Sequence, residues 1–465
     1  MKLVFIIPRG EVLRNFAYTG ILEKLKELYE IHIISIIPNA QLKTYLQNLS
    51  DHLYELEDIP LTYRHKYMIA TLDLAHNRYL WSEAAKVRWN MRDVEAKGLT
   101  SKVKRAINKG LARRLATDSR LRFLERYLLK NAKHEPAIQH YQDLLQKIKP
   151  DFVFNGSHVH SKNAYPIMQA ARLLNVKTGT FLFSWDNLTS QGRILPPYDH
   201  YLGWNQAIKQ DLLGIYPTIP TENIHVTGTP QFTFHFNPKF QESRTEFLEK
   251  LGLHPHEKYV LYSSGMSNHM PYEPEVAELL ADLLPSIDPN LKLVIRTYAK
   301  DGADVFTELE QRRADIIVPE VKWEKNFFTP LEEDQIFFTN LLRHCELGVN
   351  VASTISLELC MLDKPAINIG FNPPERNIYP YDYKRFYAFD HYKPIVDSGA
   401  VTVVYQVENL REVLVNYLSK PETHRENRLN LMKQFFDIKD GTVAEYFESV
   451  SDNVVAAMSP NQIKN

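Results

Sequence analysis

Ser353, Thr354 and Glu358 are the residues whose types and spacing best suit chemistry. They lie in "CELGVNVASTISLELCMLDKPAINIG", from Cys345 to Gly370. Two short apolar runs flank the segment, and each reads as a buried parallel strand, with one helix between them. In an open parallel sheet ligands bind beyond the carboxyl ends of the strands, where helix amino ends converge. Ser353 and Thr354 can cap such a helix, and its free amides and dipole suit a diphosphate. Glu358 falls four residues after Thr354, on the same face. A capping-box glutamate would stand at position 356, which is a serine. A charge in an otherwise apolar helix is costly unless the fold uses it, and a carboxylate one turn behind a phosphate site can accept two hydrogen bonds from a ribose diol. The plainer alternative for these residues is an ordinary capped helix with a partly exposed acid.

Other candidates fall at the ends of predicted strands. Gly265, in "YSSGMSNH", ends one strand, where a phosphate-contacting loop and a plain turn are both open. Arg296 ends the next and can reach a phosphate or form a salt bridge. Earlier in the chain, "FSWDNLTSQG" places Asp186 just after a strand, as a base for an acceptor hydroxyl or as a turn-forming aspartate. Asn187, Thr189 and Gln191 beside it can bond sugar hydroxyls. "NGSHVHSKN" puts His158 and His160 beyond another strand, and either imidazole can serve as base, ranked after Asp186. Glu11, Arg14 and Asn15, in the first loop, are expected to bind substrate charge on the acceptor side. No metal is expected: Asp-x-Asp is absent, and His158-Val-His160 lacks a third ligand. No motif asks for a cofactor.

These residues need elements to hold them. Lys2 to Pro8, Ile31 to Pro38 and His52 to Leu56 read as strands, with a helix over Asn15 to Tyr29. The alternation then stops, and residues about 63–149 read as a charged helical insertion far longer than a crossover. Strands resume at Asp151 to Ser157, Lys177 to Trp185, Tyr201 to Trp204 and Ile224 to Pro230. A polar bridge precedes a second series at Lys258 to Gly265, Lys292 to Tyr298, Asp315 to Val321, Glu346 to Asn350, Pro365 to Gly370 and Val401 to Tyr405. The expected plan is α/β: a first Rossmann-like domain over residues 1–240, a second over 255–420, then helices and a frayed tail over 421–465.

At 465 residues the chain exceeds one ordinary core, and 44% apolar content with 24% charge is that of a globular protein. A formal net charge of −1 gives no global pull toward nucleic acid or membrane. The two cysteines, Cys345 and Cys360, fall inside a predicted strand and helix, so they read as small core hydrophobes in a reducing, cytoplasmic setting. The opening "MKLVFIIPRG" is too short for a signal sequence, and no stretch approaches the ~20 apolar residues of a membrane span.

Two Rossmann-like domains, a "VTGTP" turn closing the first, and Ser-Thr followed by Glu358 and "DKPAINIG" in the second resemble the GT-B superfamily of nucleotide-sugar glycosyltransferases. The resemblance covers roughly Asp151 to Val404 and is weak in the insertion. It implies two sheets facing across a cleft, a diphosphate on the Ser353-Thr354 helix start, ribose on Glu358, and no metal. It is nearest to bacterial surface-polysaccharide transferases and the related UDP-N-acetylglucosamine 2-epimerases. The epimerase's first-loop Gly-Thr-Arg-Pro-Glu is replaced here by "PRGEVLRN", which counts against epimerisation. The expected activity is transfer of a sugar from a nucleotide-sugar donor to a hydroxyl of a glycan or lipid-linked acceptor. Sugar-nucleotide 2-epimerisation and non-catalytic nucleotide-sugar binding are the alternatives.

Between Thr100 and Lys133 stand eleven Lys or Arg and two acids, Asp118 and Glu125. Apolar residues recur at helical spacing, as Ile107, Leu111, Leu115 and then Leu121, Leu124, Leu128. This pattern fits a basic helix lying on an anionic inner-membrane face, or one packed on its own domain with a solvated basic side. No nucleic-acid recognition motif is present.

Overall fold

The structure, a computed structural model, describes residues 1–159, 163–299, 304–324, 327–373 and 382–464. The chain divides into two compact units. Met1–Gln231 with Ser449–Asn465 form one, and Phe232–Glu448 form the other.

The first unit is built on seven parallel strands: β1 (Lys2–Ile7), β2 (Glu30–Ser35), β3 (His52–Glu55), β4 (Phe152–Asn155), β5 (Lys177–Phe181), β6 (His200–Gly203) and β7 (Ile224–Val226). Their order is β3-β2-β1-β4-β5-β6-β7, so the winding reverses between β1 and β4. Val4, Phe5 and Ile6 of β1 and Phe152, Val153 and Phe154 of β4 are wholly buried, as the continuous apolar runs of a sheet covered on both faces require. The helix expected over Asn15 to Tyr29 is two short ones, Glu11–Phe16 and Ile21–Lys26. Gly20 divides them in a left-handed conformation (φ 76°) that other residues rarely adopt.

The expected insertion is five helices: Tyr63–Leu80, Glu83–Glu95, Leu99–Leu115, Asp118–Ala132 and Pro136–Ile148. Leu72, Trp89, Ala112, Leu121 and Leu128 form a core of their own there. The end of the chain is not a loose tail. Helices Val443–Ala457 and Pro460–Lys464 carry it back to the first unit, where Tyr29 Oη donates to the Met458 carbonyl at 2.6 Å and Ile463 is buried.

The second unit holds β8 (Lys258–Ser263), β9 (Leu291–Arg296), β10 (Ile316–Ile317), β11 (Trp323–Glu324), β12 (Thr329–Pro330), β13 (Leu347–Asn350), β14 (Ala366–Ile369) and β15 (Thr402–Val404). Six of them make a parallel sheet ordered β10-β9-β8-β13-β14-β15, which reverses between β8 and β13. The sequence does not foreshadow the small antiparallel pair of β11 and β12. Both cysteines are free and buried, and burial pushes each thiol up to about 12, which suits core packing and not reactivity.

Candidate functional site

Ligands of doubly wound sheets sit where the winding reverses, beyond the carboxyl ends of the strands. In the second unit that point is flanked by the loops after β8 and β13, the two segments carrying Gly265 and Ser353-Thr354.

The turn after β13 is tight. Ala352 takes a left-handed φ of 39°, a strained setting for a residue with a side chain, and the helix Ile355–Met361 follows at once. Four buried side chains hold the turn. Asn350 Oδ1 accepts from the Ser353 amide (3.2 Å), Ser356 Oγ (3.1 Å) and Asn368 Nδ2 (3.1 Å). Tyr392 Oη reaches Asn368 Oδ1 at 2.8 Å and Ser356 Oγ at 2.9 Å. Sequence reasoning missed this network. Its signal was a polar residue ending each of two apolar runs, since Asn350 and Asn368 are register partners on adjacent strands. Ser353 and Thr354 remain partly exposed, and the Thr354 hydroxyl caps no amide.

Glu358 is nearly buried, and the fold supplies its partner. His235, from the short helix Pro230–His235, brings Nε2 to 2.7 Å from Glu358 Oε2. His235 itself is wholly buried, and its Nδ1 has no hydrogen-bond partner among the described residues. One carboxylate oxygen is thereby fixed. No spacing rule could pair two residues 123 positions apart.

Two donor-site candidates already have partners within the fold. Arg296 forms a buried bidentate pair with Asp334, with Nη1 to Oδ1 at 3.0 Å and Nη2 to Oδ2 at 2.6 Å. Asp334 also accepts from Trp323 Nε1 (2.8 Å) and the Lys322 amide (3.0 Å), so Arg296 ties β9 to β11 and the helix Glu332–His344. The Gly265 amide donates to both carboxylate oxygens of buried Glu273, at 3.0 and 2.9 Å. An anion already occupies that amide, and a phosphate there would meet like charge.

In the first unit the reversal lies between β1 and β4. Asn15, Ser157 and His158 fall in the segments that follow these strands. Glu11 pairs with Arg9 at 2.5 Å, and Arg14 bonds Asn15 Oδ1 and Gln231 Oε1 at 3.1 Å each. The charges of this loop answer one another and are not presented bare. Asn15 Nδ2 and Ser157 Oγ, both buried, have no hydrogen-bond partner among the described residues. Such orphaned groups mark places where a ligand or water completes the bonding.

His158 Nδ1 donates to the Phe181 carbonyl at 3.2 Å, which leaves Nε2 as the basic nitrogen. Burial pushes the imidazole down to about 4, against the opposing pull of that carbonyl and the Asp186 carboxylate. Asp186 is less available. Its Oδ2 accepts from Ser190 Oγ at 2.8 Å, its Oδ1 from Asn187 Nδ2 at 3.3 Å, and Asn187 Oδ1 in turn accepts from the Ser184 amide. His160 lies outside the described residues. Among the described residues one group can hold a metal: Glu30, His32 and His52 bring ligand atoms within 4.8 Å of one another. It stands at the amino ends of β2 and β3, opposite the ends where the candidate site lies.

No family model matches the chain, and no curated protein matches it by sequence. Solved structures do. UDP-GlcNAc 2-epimerase from Neisseria meningitidis bound to UDP-GlcNAc aligns over 100% of both chains, with TM-score 0.57 and 14% identity. The S. aureus MnaA–UDP co-structure aligns over 98% of this chain and 96% of its own, with TM-score 0.52 and 13% identity. UDP-GlcNAc 2-epimerase from Methanocaldococcus jannaschii aligns over 90% and 93%, with TM-score 0.51 and 14% identity. The fold is GT-B. Two Rossmann-like domains, the first with a helical insertion, agree with the plan expected from sequence. Identities this low carry the fold and leave the chemistry to the residues.

Proposed function

We propose that this GT-B chain is an enzyme acting on nucleotide sugars, and specifically a glycosyltransferase. The observation that carries the reading is Glu358: a nearly buried carboxylate one turn behind the partly exposed Ser353-Thr354 turn, at the reversal of the second sheet, with one oxygen fixed by His235. A nucleoside diphosphate would place its phosphates on the turn and its ribose diol on the other oxygen. In the first unit His158 is the preferred base, ahead of Asp186. Its Nε2 lone pair is neutral and available at pH 7, whereas Asp186 is held by Ser190 and Asn187. His158 would take the proton of an acceptor hydroxyl as that oxygen bonds to the anomeric carbon and the carbon–oxygen bond to the diphosphate breaks. Neutral Asn15 and Ser157 suit hydroxyl groups on the sugar or the acceptor glycan.

A second reading is 2-epimerisation. It is favoured by full-length neighbours that are themselves UDP-GlcNAc 2-epimerases, and opposed by the missing first-loop motif. A thermal-shift screen with UDP, ADP, GDP and their sugar conjugates tests the nucleotide site, since ligands of the native state raise its melting temperature. Incubating the stabilising conjugate without acceptor then separates the two chemistries: an epimerase interconverts it, and a transferase leaves it largely intact. A chain stabilised by none of these, nor by thymidine and cytidine nucleotides and their sugar conjugates, has neither activity.

A further inference from the structure

The helix Leu99–Leu115 is amphipathic in the inverted sense. Its inward side is set by Ala112, which is wholly buried, and by Arg105 and Lys109. Arg105 Nε bonds Asp93 at 2.9 Å, its Nη2 donates to the Trp89 carbonyl at 2.8 Å, and Lys109 also pairs with Asp93. Both cations lie 5.1 Å from the centre of the Trp89 ring. The long aliphatic side chains point the other way. Leu99, Val103, Ile107 and Leu111 are 80, 50, 63 and 37% exposed. Four-residue spacing puts them on one slowly turning stripe. The stripe expected from sequence is therefore split, with Leu121 and Leu128 buried in the insertion core and Ile107 and Leu111 facing solvent.

A helix packed on its own domain turns its apolar stripe inward, and a stripe of large aliphatics left outside marks an interaction surface. What borders the stripe identifies the occupant. Lys102, Lys104 and Arg113 are exposed and take part in no ion pair among the described residues, within a segment of eleven basic and two acidic residues. We propose that this helix seats on an anionic lipid bilayer, with Leu99, Val103, Ile107 and Leu111 in the acyl boundary and Lys102, Lys104 and Arg113 among the headgroups. A second copy of the chain would bring the same positive field to the same face, which opposes self-association there. Nucleic acid would use the cations but gains little from a row of aliphatic side chains. The inference is independent of the reaction assigned to the strand ends.

The test uses the full chain, sedimented with vesicles of phosphatidylcholine alone or mixed with phosphatidylglycerol. The wild type pellets with the anionic vesicles, and added salt weakens the association. Val103→Ser with Ile107→Ser should weaken it about a hundredfold, because two aliphatic side chains no longer leave water. Lys102→Gln, Lys104→Gln and Arg113→Gln together should flatten the salt dependence. Arg105 is left in place because it holds Asp93 and the Trp89 carbonyl. Melting temperature and nucleotide binding report that the variants remain folded. The proposal is overturned if the wild type does not pellet with anionic vesicles, or if both variants pellet like wild type. It is equally overturned if the apolar substitutions abolish self-association or capture of an acidic protein and leave vesicle binding unchanged.

Discussion

Replacing Glu358 by glutamine separates what the carboxylate does for the fold from what it does for a ligand. The substitution keeps volume, and the new amide oxygen can still accept the Nε2–H of His235. The fold should lose no more than about 1 kcal/mol. A ribose diol, in contrast, loses an ionised acceptor, worth about 1.5–3 kcal/mol, or roughly 10- to 150-fold in Kd. His235→Ala gives the opposite profile. It leaves a carboxylate with little exposure and no partner, beside a cavity, at a cost of about 3–5 kcal/mol. For a domain of this size each kcal/mol lowers the melting temperature by about 2–4 °C, so the second unit should melt about 6–20 °C lower. Calorimetric titration with UDP and scanning calorimetry read the two effects separately. A folded Glu358→Gln protein with the UDP affinity of wild type refutes the ribose assignment. A large loss of melting temperature in that variant refutes the separation of the two roles, because the carboxylate's charge would then be needed by the fold itself.

Arg296→Ala should destabilise the second unit by about 3–5 kcal/mol, because it strands the Asp334 carboxylate, while UDP affinity of the folded fraction stays within about threefold of wild type. A selective loss of UDP binding at unchanged melting temperature would return Arg296 to the ligand. His158 and His200 sit at about 4 and His76 at about 3, all lowered chiefly by burial. The unfolded chain, near 6.5 at each, binds more protons below that value, so stability is present above about pH 6.5 and falls by up to about 1.4 kcal/mol per group per unit toward pH 4. Melting curves of the first unit across that window should show the fall, His158→Gln should remove part of it, and a flat profile would contradict the burial argument. If His158 is the base, kcat/KM keeps its acid limb near pH 4, and His158→Gln lowers turnover by about 10²–10⁴ while Asp186→Asn is milder. The reverse ranking would restore Asp186 as the base.

The strands were legible because buried parallel strands are continuous apolar runs. "KLVFII", "LKLVIR" and "AINI" can be little else between polar turns. The candidate site was chosen from the same signal, since Ser353 and Gly265 each follow such a run, and the sheet order sets the segments after β8 and β13 beside one winding reversal. What the sequence could not show is which polar groups the fold sets against one another. Arg296 and Asp334 are 38 residues apart and His235 and Glu358 are 123, and their pairing depends on topology alone. The burial of Ile463 and the bond from Tyr29 to Met458 bring the end of the chain back to its beginning, and no local spacing announces that. The first-domain helix was misread for a local reason, because a single left-handed glycine divides an otherwise continuous amphipathic pattern.

The two winding reversals differ in the kind of group they offer, and that difference bears on the chemistry. In the second unit the turn after β13 pairs a partly exposed helix start with a carboxylate, a combination that suits phosphates and a diol. In the first unit Arg9 answers Glu11, and Arg14 is bonded to Asn15 and Gln231. Among the described residues, the Asn15 amide nitrogen and the Ser157 hydroxyl stand there without a partner, and His158 adds an uncharged imidazole nitrogen. Neutral donors and acceptors discriminate hydroxyl positions without favouring charge, because a ligand lacking the matching group leaves them buried and unpaired. Under the proposed function these groups of the first unit would read the hydroxyls of a sugar or glycan, with Glu11, Arg14 and Asn15 lying beside them.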